Sequence, residues 1–136
     1  MSFIKNGTVY AGIGIGYFVL GAIKEAIISL ISDEYIEYKQ ENGLSIIDIE
    51  NARFWFNEEE RLIKICVWDG FEGTYENKVS IGTCLGDVIE TVGLYEGEEN
   101  QFFVERDDGV FFELEDSNNE NKLSSKIKKI YVYRLY

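Results

Sequence analysis

The chain has no histidine, no proline and only two cysteines in 136 residues, and its 13 lysines and arginines are outnumbered by 25 acids. Each scarcity excludes something. Without histidine the commonest general base is gone, along with the usual partner of a serine or cysteine nucleophile and most zinc sites. Cys66 and Cys84 do not suggest a secreted disulfide framework, and both read as small buried hydrophobes. The absence of proline fits a strand-rich chain with little rigid linker. Long apolar runs are scarce as well: the longest, from Ile13 to Ile23, is broken by Gly14, Gly16 and Gly21 and is too short to cross a bilayer. The opening residues show no basic segment followed by an apolar run and a small-residue cleavage site, so a cytoplasmic protein is the expectation, with no membrane partner. A net charge of −12 repels phosphate backbones and argues against direct nucleic-acid binding.

Motifs that would carry chemistry fail one by one. Gly12-Ile13-Gly14-Ile15-Gly16-Tyr17 resembles a dinucleotide fingerprint, but Tyr17 stands where the third glycine belongs and no later ribose-binding acid is visible. Asp107-Asp108-Gly109 lacks the alternating oxygen ligands of a calcium loop and reads as a turn. Glu113 and Glu115 have the spacing of a carboxylate pair, which acidic surface strands share. The expectation is a protein that is not an enzyme, with no cofactor and no metal.

What is present is a pattern written twice. Leu20-Gly21-Ala22-Ile23 through Ile31 returns 61 positions later as Ile81-Gly82-Thr83-Cys84 through Val92. Arg53-Phe54-Trp55-Phe56 followed by Leu62 to Trp68 has a counterpart in Val110-Phe111-Phe112-Glu113 followed by Lys128 to Tyr133. In the first copy Ile23, Ala26, Ile27, Leu30 and Ile31 make one helical stripe. Strand-like runs follow at Tyr35 to Lys39, Leu44 to Ile49, Arg53 to Asn57 and Leu62 to Trp68, with Asn42-Gly43 as a hairpin turn. In the second, Leu85, Val88, Ile89 and Val92 make the stripe, with Thr83 as its N-cap, and strands run from Gln101 to Glu105, Val110 to Glu115 and Lys128 to Arg134. Neither copy buries its apolar face alone, so the two are expected to share a core. The predicted class is α+β: two tandem helix-plus-antiparallel-meander repeats, about 8–69 and about 78–136, forming one shared sheet with the helices on one face of a single domain 1–136.

Alternation then assigns faces. Ile63, Ile65 and Val67, with Ile130 and Val132, should lie under the helices, leaving Trp55, Lys64, Cys66, Trp68, Phe111, Glu113, Glu115, Lys129, Tyr131 and Tyr133 on the other side. Aromatics are the usual anchors of protein interfaces, and acids steer a cationic partner. Residues 96–120 hold ten acids against one arginine. The candidate partner-binding residues are therefore Trp55, Trp68, Phe111, Glu113, Glu115, Asp116, Tyr131 and Tyr133, joined by Glu98, Glu99, Asp107 and Asp108.

The stretches Ile15 to Gly21 before the first helix and Lys78 to Thr83 before the second, each followed by an aromatic hairpin, resemble the tandem repeat of the β-lactamase inhibitor protein-like architecture. They also resemble small cytoplasmic immunity proteins found beside bacterial toxins, including those of contact-dependent inhibition systems. That resemblance implies a sheet that grips another protein and blocks its active site. The functional expectation is an immunity or inhibitor protein that neutralises a toxin with a basic surface, a nuclease being one such class. The alternative is a non-catalytic structural or homo-oligomeric module, with the aromatic face buried in a homodimer.

Overall fold

The computed structural model describes residues 3–31, 34–97, 100–115 and 122–134. In chain order the elements are β1 (Thr8–Tyr10), β2 (Gly14–Ile15), β3 (Phe18–Val19), α1 (Lys24–Leu30), β4 (Ile36–Lys39), β5 (Ser45–Ile49), β6 (Ala52–Phe56) and β7 (Leu62–Val67). They continue with β8 (Thr74–Tyr75), α2 (Leu85–Thr91), β9 (Leu94–Glu96), β10 (Gln101–Val104), β11 (Val110–Leu114), a 3-10 turn (Lys122–Ser124) and β12 (Ile127–Tyr133). The class is α+β, with strands predominating.

Alternation of apolar side chains builds the larger sheet. Ile47 pairs with Phe54, Phe54 with Ile65, Ile65 with Val132 and Val132 with Val110, so one row of core side chains crosses five strands. A second row runs Ile49, Ala52, Val67, Ile130, Phe112 and Phe102. All of these are buried in one cluster with Ile27 of α1 and with Leu85 and Val88 of α2. The eight strands are antiparallel neighbours in the order β4-β5-β6-β7-β12-β11-β10-β9. Two meanders thus meet at their last strands, and their first strands form the outer edges.

The turns leading into the two helices are held alike. Gly21 and Gly82 sit at φ +91° and +92°, a region that glycine enters without the Cβ clash other residues meet. The Gly21 N–H donates to the Leu62 carbonyl at 2.7 Å, and the Gly82 N–H to the Ile127 carbonyl at 2.8 Å. The Leu62 N–H returns a bond to Ala22, and the Ile127 N–H to Thr83, both at 2.9 Å. Each helix is therefore tied to the strand that ends its own meander.

A second, four-stranded sheet in the order β3-β2-β1-β8 was not expected from the sequence. Its strands are two or three residues long, and β1 pairs in parallel with β8, Thr8 opposite Thr74. Val9, Ile15 and Tyr75 bring it into the same core cluster. The predicted helical stripes are also shortened. Each helix is only seven residues long, so Ile23, Ile31 and Val92 fall at cap positions outside it, and within the helices Leu30 and Ile89 are 47% and 46% exposed, off the buried side formed by Ile27, Leu85 and Val88. Thr83 is not the N-cap: Cys84 holds that position, and the Thr83 hydroxyl accepts the Ser80 N–H at 3.0 Å. Ile63 is only half-buried, while Leu62 enters the core, since a register shift at Trp55/Phe56 turns the start of β7 over. No helix among the described residues is long and apolar enough to cross a membrane.

Candidate binding face

The side of the large sheet opposite the helices is laid out as a grid by the strand register. One row runs Asp48, Arg53, Cys66, Tyr131, Phe111, Phe103 and Tyr95, crossing seven strands from β5 to β9. Beside it run Ile46, Trp55, Lys64 and Tyr133. Beyond it lie Lys129, Glu113 and Gln101, with Trp68 following β7.

Rings occupy most of the long row and stack in sequence. Tyr95 and Phe103 lie 5.5 Å apart at 18°, Phe103 and Phe111 4.9 Å at 29°, and Phe111 and Tyr131 4.3 Å at 9°. Trp55 continues the series at 6.4 Å from Tyr131. Cross-strand ring pairs of this kind contribute about 0.5–1.5 kcal/mol each beyond area burial. Each ring of the stack is thus held in orientation by its cross-strand neighbours. Phe111 is covered by its neighbours, while Trp55, Trp68, Phe103, Tyr131 and Tyr133 are half-buried and Tyr95 is exposed. The Trp68 indole N–H donates to the Glu50 carbonyl at 3.2 Å, which pins that ring in orientation.

Cations are laid against these rings. The Lys64 ammonium lies 4.7 Å from the Trp55 ring, 5.1 Å from Tyr131 and 5.9 Å from Phe111. Arg53 lies 5.7 Å from Trp55, and Lys129 5.7 Å from Trp68. Burial lowers the Lys64 ammonium pKa from its ordinary value. It drives the Cys66 thiol up to about 12 and the Tyr131 hydroxyl upward too. Arg53 is held in its charged form by the hydrogen bond to Asp48, at 2.6 Å from Nε. A thiol so protonated is a poor nucleophile, so Cys66 is a packing residue rather than a reactive one.

Between Trp55 and Trp68 the grid contains a depression of about 450 Å³, with Arg53, Cys66, Lys129 and Tyr131 also lining it. A larger cleft of about 530 Å³ lies elsewhere, among Tyr75, Glu76, Glu105, Arg106 and Asp107.

Of the predicted site residues, Trp55, Trp68, Phe111, Glu113, Tyr131 and Tyr133 come together on this face. Glu113 is engaged by Lys128 at 3.4 Å and Lys129 at 4.0 Å. Glu115 is exposed just past the end of β11. Asp107 and Asp108 sit in the β10–β11 turn, where Asp107 accepts the hydroxyl proton of buried Tyr75 and so serves the helix side of the molecule. Glu98, Glu99 and Asp116 lie outside the described residues. Sequence reasoning left Arg53, Phe103 and Tyr95 out of the site; the first two were accessible from it, since Arg53 stands two residues before Trp55 and Phe103 alternates with Phe102 in β10.

Comparison with known proteins adds a fold likeness. The chain superposes on the crystal structure of the uncharacterized protein yfeY from Escherichia coli with a TM-score of 0.59 and 17% identity, covering 92% of this chain and 99% of that one. No family model matches the chain, and no curated protein matches it. A likeness at this identity speaks to the fold alone.

Proposed function

We propose that this chain is a non-catalytic binding protein, built from two duplicated halves, that grips another polypeptide on the aromatic face of its large sheet. In its most specific form the proposal is a bacterial immunity or inhibitor protein that occludes the active site of a toxin. The duplication is supported by the matching hydrogen bonds of Gly21 and Gly82 and by the meeting of the two meanders at β7 and β12. One observation carries the binding role: the row of stacked rings from Tyr95 to Trp55 lies on the face away from both helices and from the small sheet, whose apolar side chains join the core. Half-buried aromatic rings set side by side are the residue type that anchors protein interfaces.

Charge acts at two ranges. The net −12 attracts a basic toxin, such as a nuclease, from a distance, raising association by roughly 10- to 1,000-fold at low salt. At contact the rings dominate, since the lysines and arginine of the face are embedded among them.

The test begins with co-expression alongside products of neighbouring reading frames, scored by rescue of growth and co-purification. Trp68→Ala and Tyr133→Ala are each expected to weaken the captured complex by about 2 kcal/mol or more. Unchanged affinity in both would remove this face from the interface. A stable homodimer in sedimentation, with both tryptophans shielded from quencher, would favour self-association instead.

A further inference from the structure

The depression between the two tryptophans exists because of one small residue. Cys66 is 1% exposed at the centre of the grid, with Arg53 and Tyr131 on either side in register, Lys64 before it on β7 and Trp68 just past the end of that strand. Arg53, Trp55, Trp68, Lys129 and Tyr131 wall the depression together with one acid, Asp69, so the thiol becomes the floor, and Lys64 stands beside it behind Trp55 and Tyr131. At about 450 Å³ the space exceeds what one aromatic side chain needs, and it falls in the range of sites that hold small organic groups.

The cations around it are unequally compensated. Arg53 makes two bonds to Asp48, at 2.6 and 3.1 Å, and Lys128 and Lys129 share Glu113 at 3.4 and 4.0 Å. Lys64 has no carboxylate within ion-pair distance among the described residues. Ring faces alone hold it, and rings replace water poorly around an ammonium. A half-buried cation with ring faces but, among the described residues, no carboxylate beside it is complementary to a negative group brought by a partner.

Resting on the reading of this face as a polypeptide-binding surface, we propose that the depression over Cys66 receives an aromatic side chain of the partner, with a carboxylate two residues away meeting Lys64. Trp55 and Tyr131 link the two points: both line the depression and both contact Lys64. Side chains two apart on an extended strand are separated by about 6.5–7 Å, which suits neighbouring grid positions. The recognised element is an extended acidic-x-aromatic segment.

The only two tryptophans of the chain both line the depression, so their emission reports its occupancy directly. Three capped peptides are titrated into the full chain: Gly-Glu-Ser-Phe-Gly, and the same sequence with Gln or Lys in place of Glu. The Glu peptide is expected to bind about tenfold more tightly than the Gln peptide, the factor a charge-assisted contact supplies, with the Lys peptide weakest. Lys64→Met should bring the Glu peptide down to the level of the Gln peptide while leaving the latter unchanged. Cys66→Leu should fill the floor and remove all binding, with an unaltered far-ultraviolet dichroism spectrum. Equal binding of the three peptides, no effect of Lys64→Met, or no emission change with any peptide overturns the proposal. If the peptides bind alike while Trp68→Ala and Tyr133→Ala still abolish partner capture, this inference fails and the binding-face reading stands. If the Glu peptide behaves as expected but those variants hold the partner normally, the reading fails and the peptide site remains.

Discussion

The two cysteines show how position rather than composition sets a side chain's chemistry. Cys66 lies on the floor of the aromatic grid, with burial pushing its thiol up to about 12, whereas Cys84 is partly exposed at the N-cap of α2 with Asp87 Oδ2 at 3.2 Å. Alkylation of the native protein at mildly alkaline pH should therefore add one label, on Cys84, and a second only after denaturation. Peptide mass mapping checks it; labelling of native Cys66 would show that the face opens. Lys24 offers a second test. It is 8% exposed, bonded to Glu37 at 2.8 Å and Glu60 at 3.5 Å, yet the equivalent first residue of α2 is Leu85. Buried ion pairs are often replaceable by apolar residues, so Lys24→Leu should change stability by less than about 1 kcal/mol, whereas Lys24→Ala, which leaves a void, should cost about 2 kcal/mol. Burial disfavours the ammonium, but Glu37 and Glu60 outweigh it and raise the Lys24 pKa above 10.5. A raised pKa contributes stability that is complete below the unfolded value and fades as pH rises through the folded one. Melting of wild type against Lys24→Leu should thus differ by a constant through neutral pH and turn against wild type only at strongly alkaline pH.

Among the elements, strands were easier to read than helices. The meander strands carry two-residue alternation over four to seven positions, and Asn42-Gly43 fixes a turn, so β5, β6, β7, β10, β11 and β12 were visible in the residues themselves. The helices were overestimated because an apolar residue at helical spacing is indistinguishable from one just beyond a helix end, as Ile31 and Val92 are. The small sheet was hidden for a different reason: its pairing of β1 with β8 joins segments far apart in the chain. Glycines that looked like a nucleotide loop belong to this sheet. Gly109 sits at φ +99°, and a Cβ there would come within 2.4 Å of the Gly12 nitrogen, whose N–H donates to the Gly109 carbonyl. Gly109→Ala should accordingly cost about 1–3 kcal/mol and loosen the β1–β2 ribbon first, seen as faster amide exchange there than in β6. Uniform loss of protection would mean that the ribbon has no independent opening. The candidate face was legible to the same degree as its strands: alternation placed Trp55, Tyr131 and Tyr133 together, but no periodicity said which way the turn carrying Asp107 would face.

The whole molecule is one apolar cluster spanning both meanders, with Ile65, Val67, Ile130 and Val132 at the seam. Both tryptophans belong to the first half, while backbone dichroism reports both halves. Urea unfolding followed by the two signals should give coincident midpoints, and Ile65→Ala or Ile130→Ala should lower stability by about 2–4 kcal/mol without separating them. Separate transitions would show that the halves are stable apart.

That seam also has a temporal meaning. β7 is closed on one side by β6, but its other neighbour, β12, begins at residue 127. During translation, at about 5–20 residues per second, the nascent first meander waits several seconds with a bare hydrogen-bonding edge beside its most apolar strand. Until the second meander emerges, the growing polypeptide is a ready template for pairing with a neighbour on the same message, and this is the interval in which a chaperone would matter most to it.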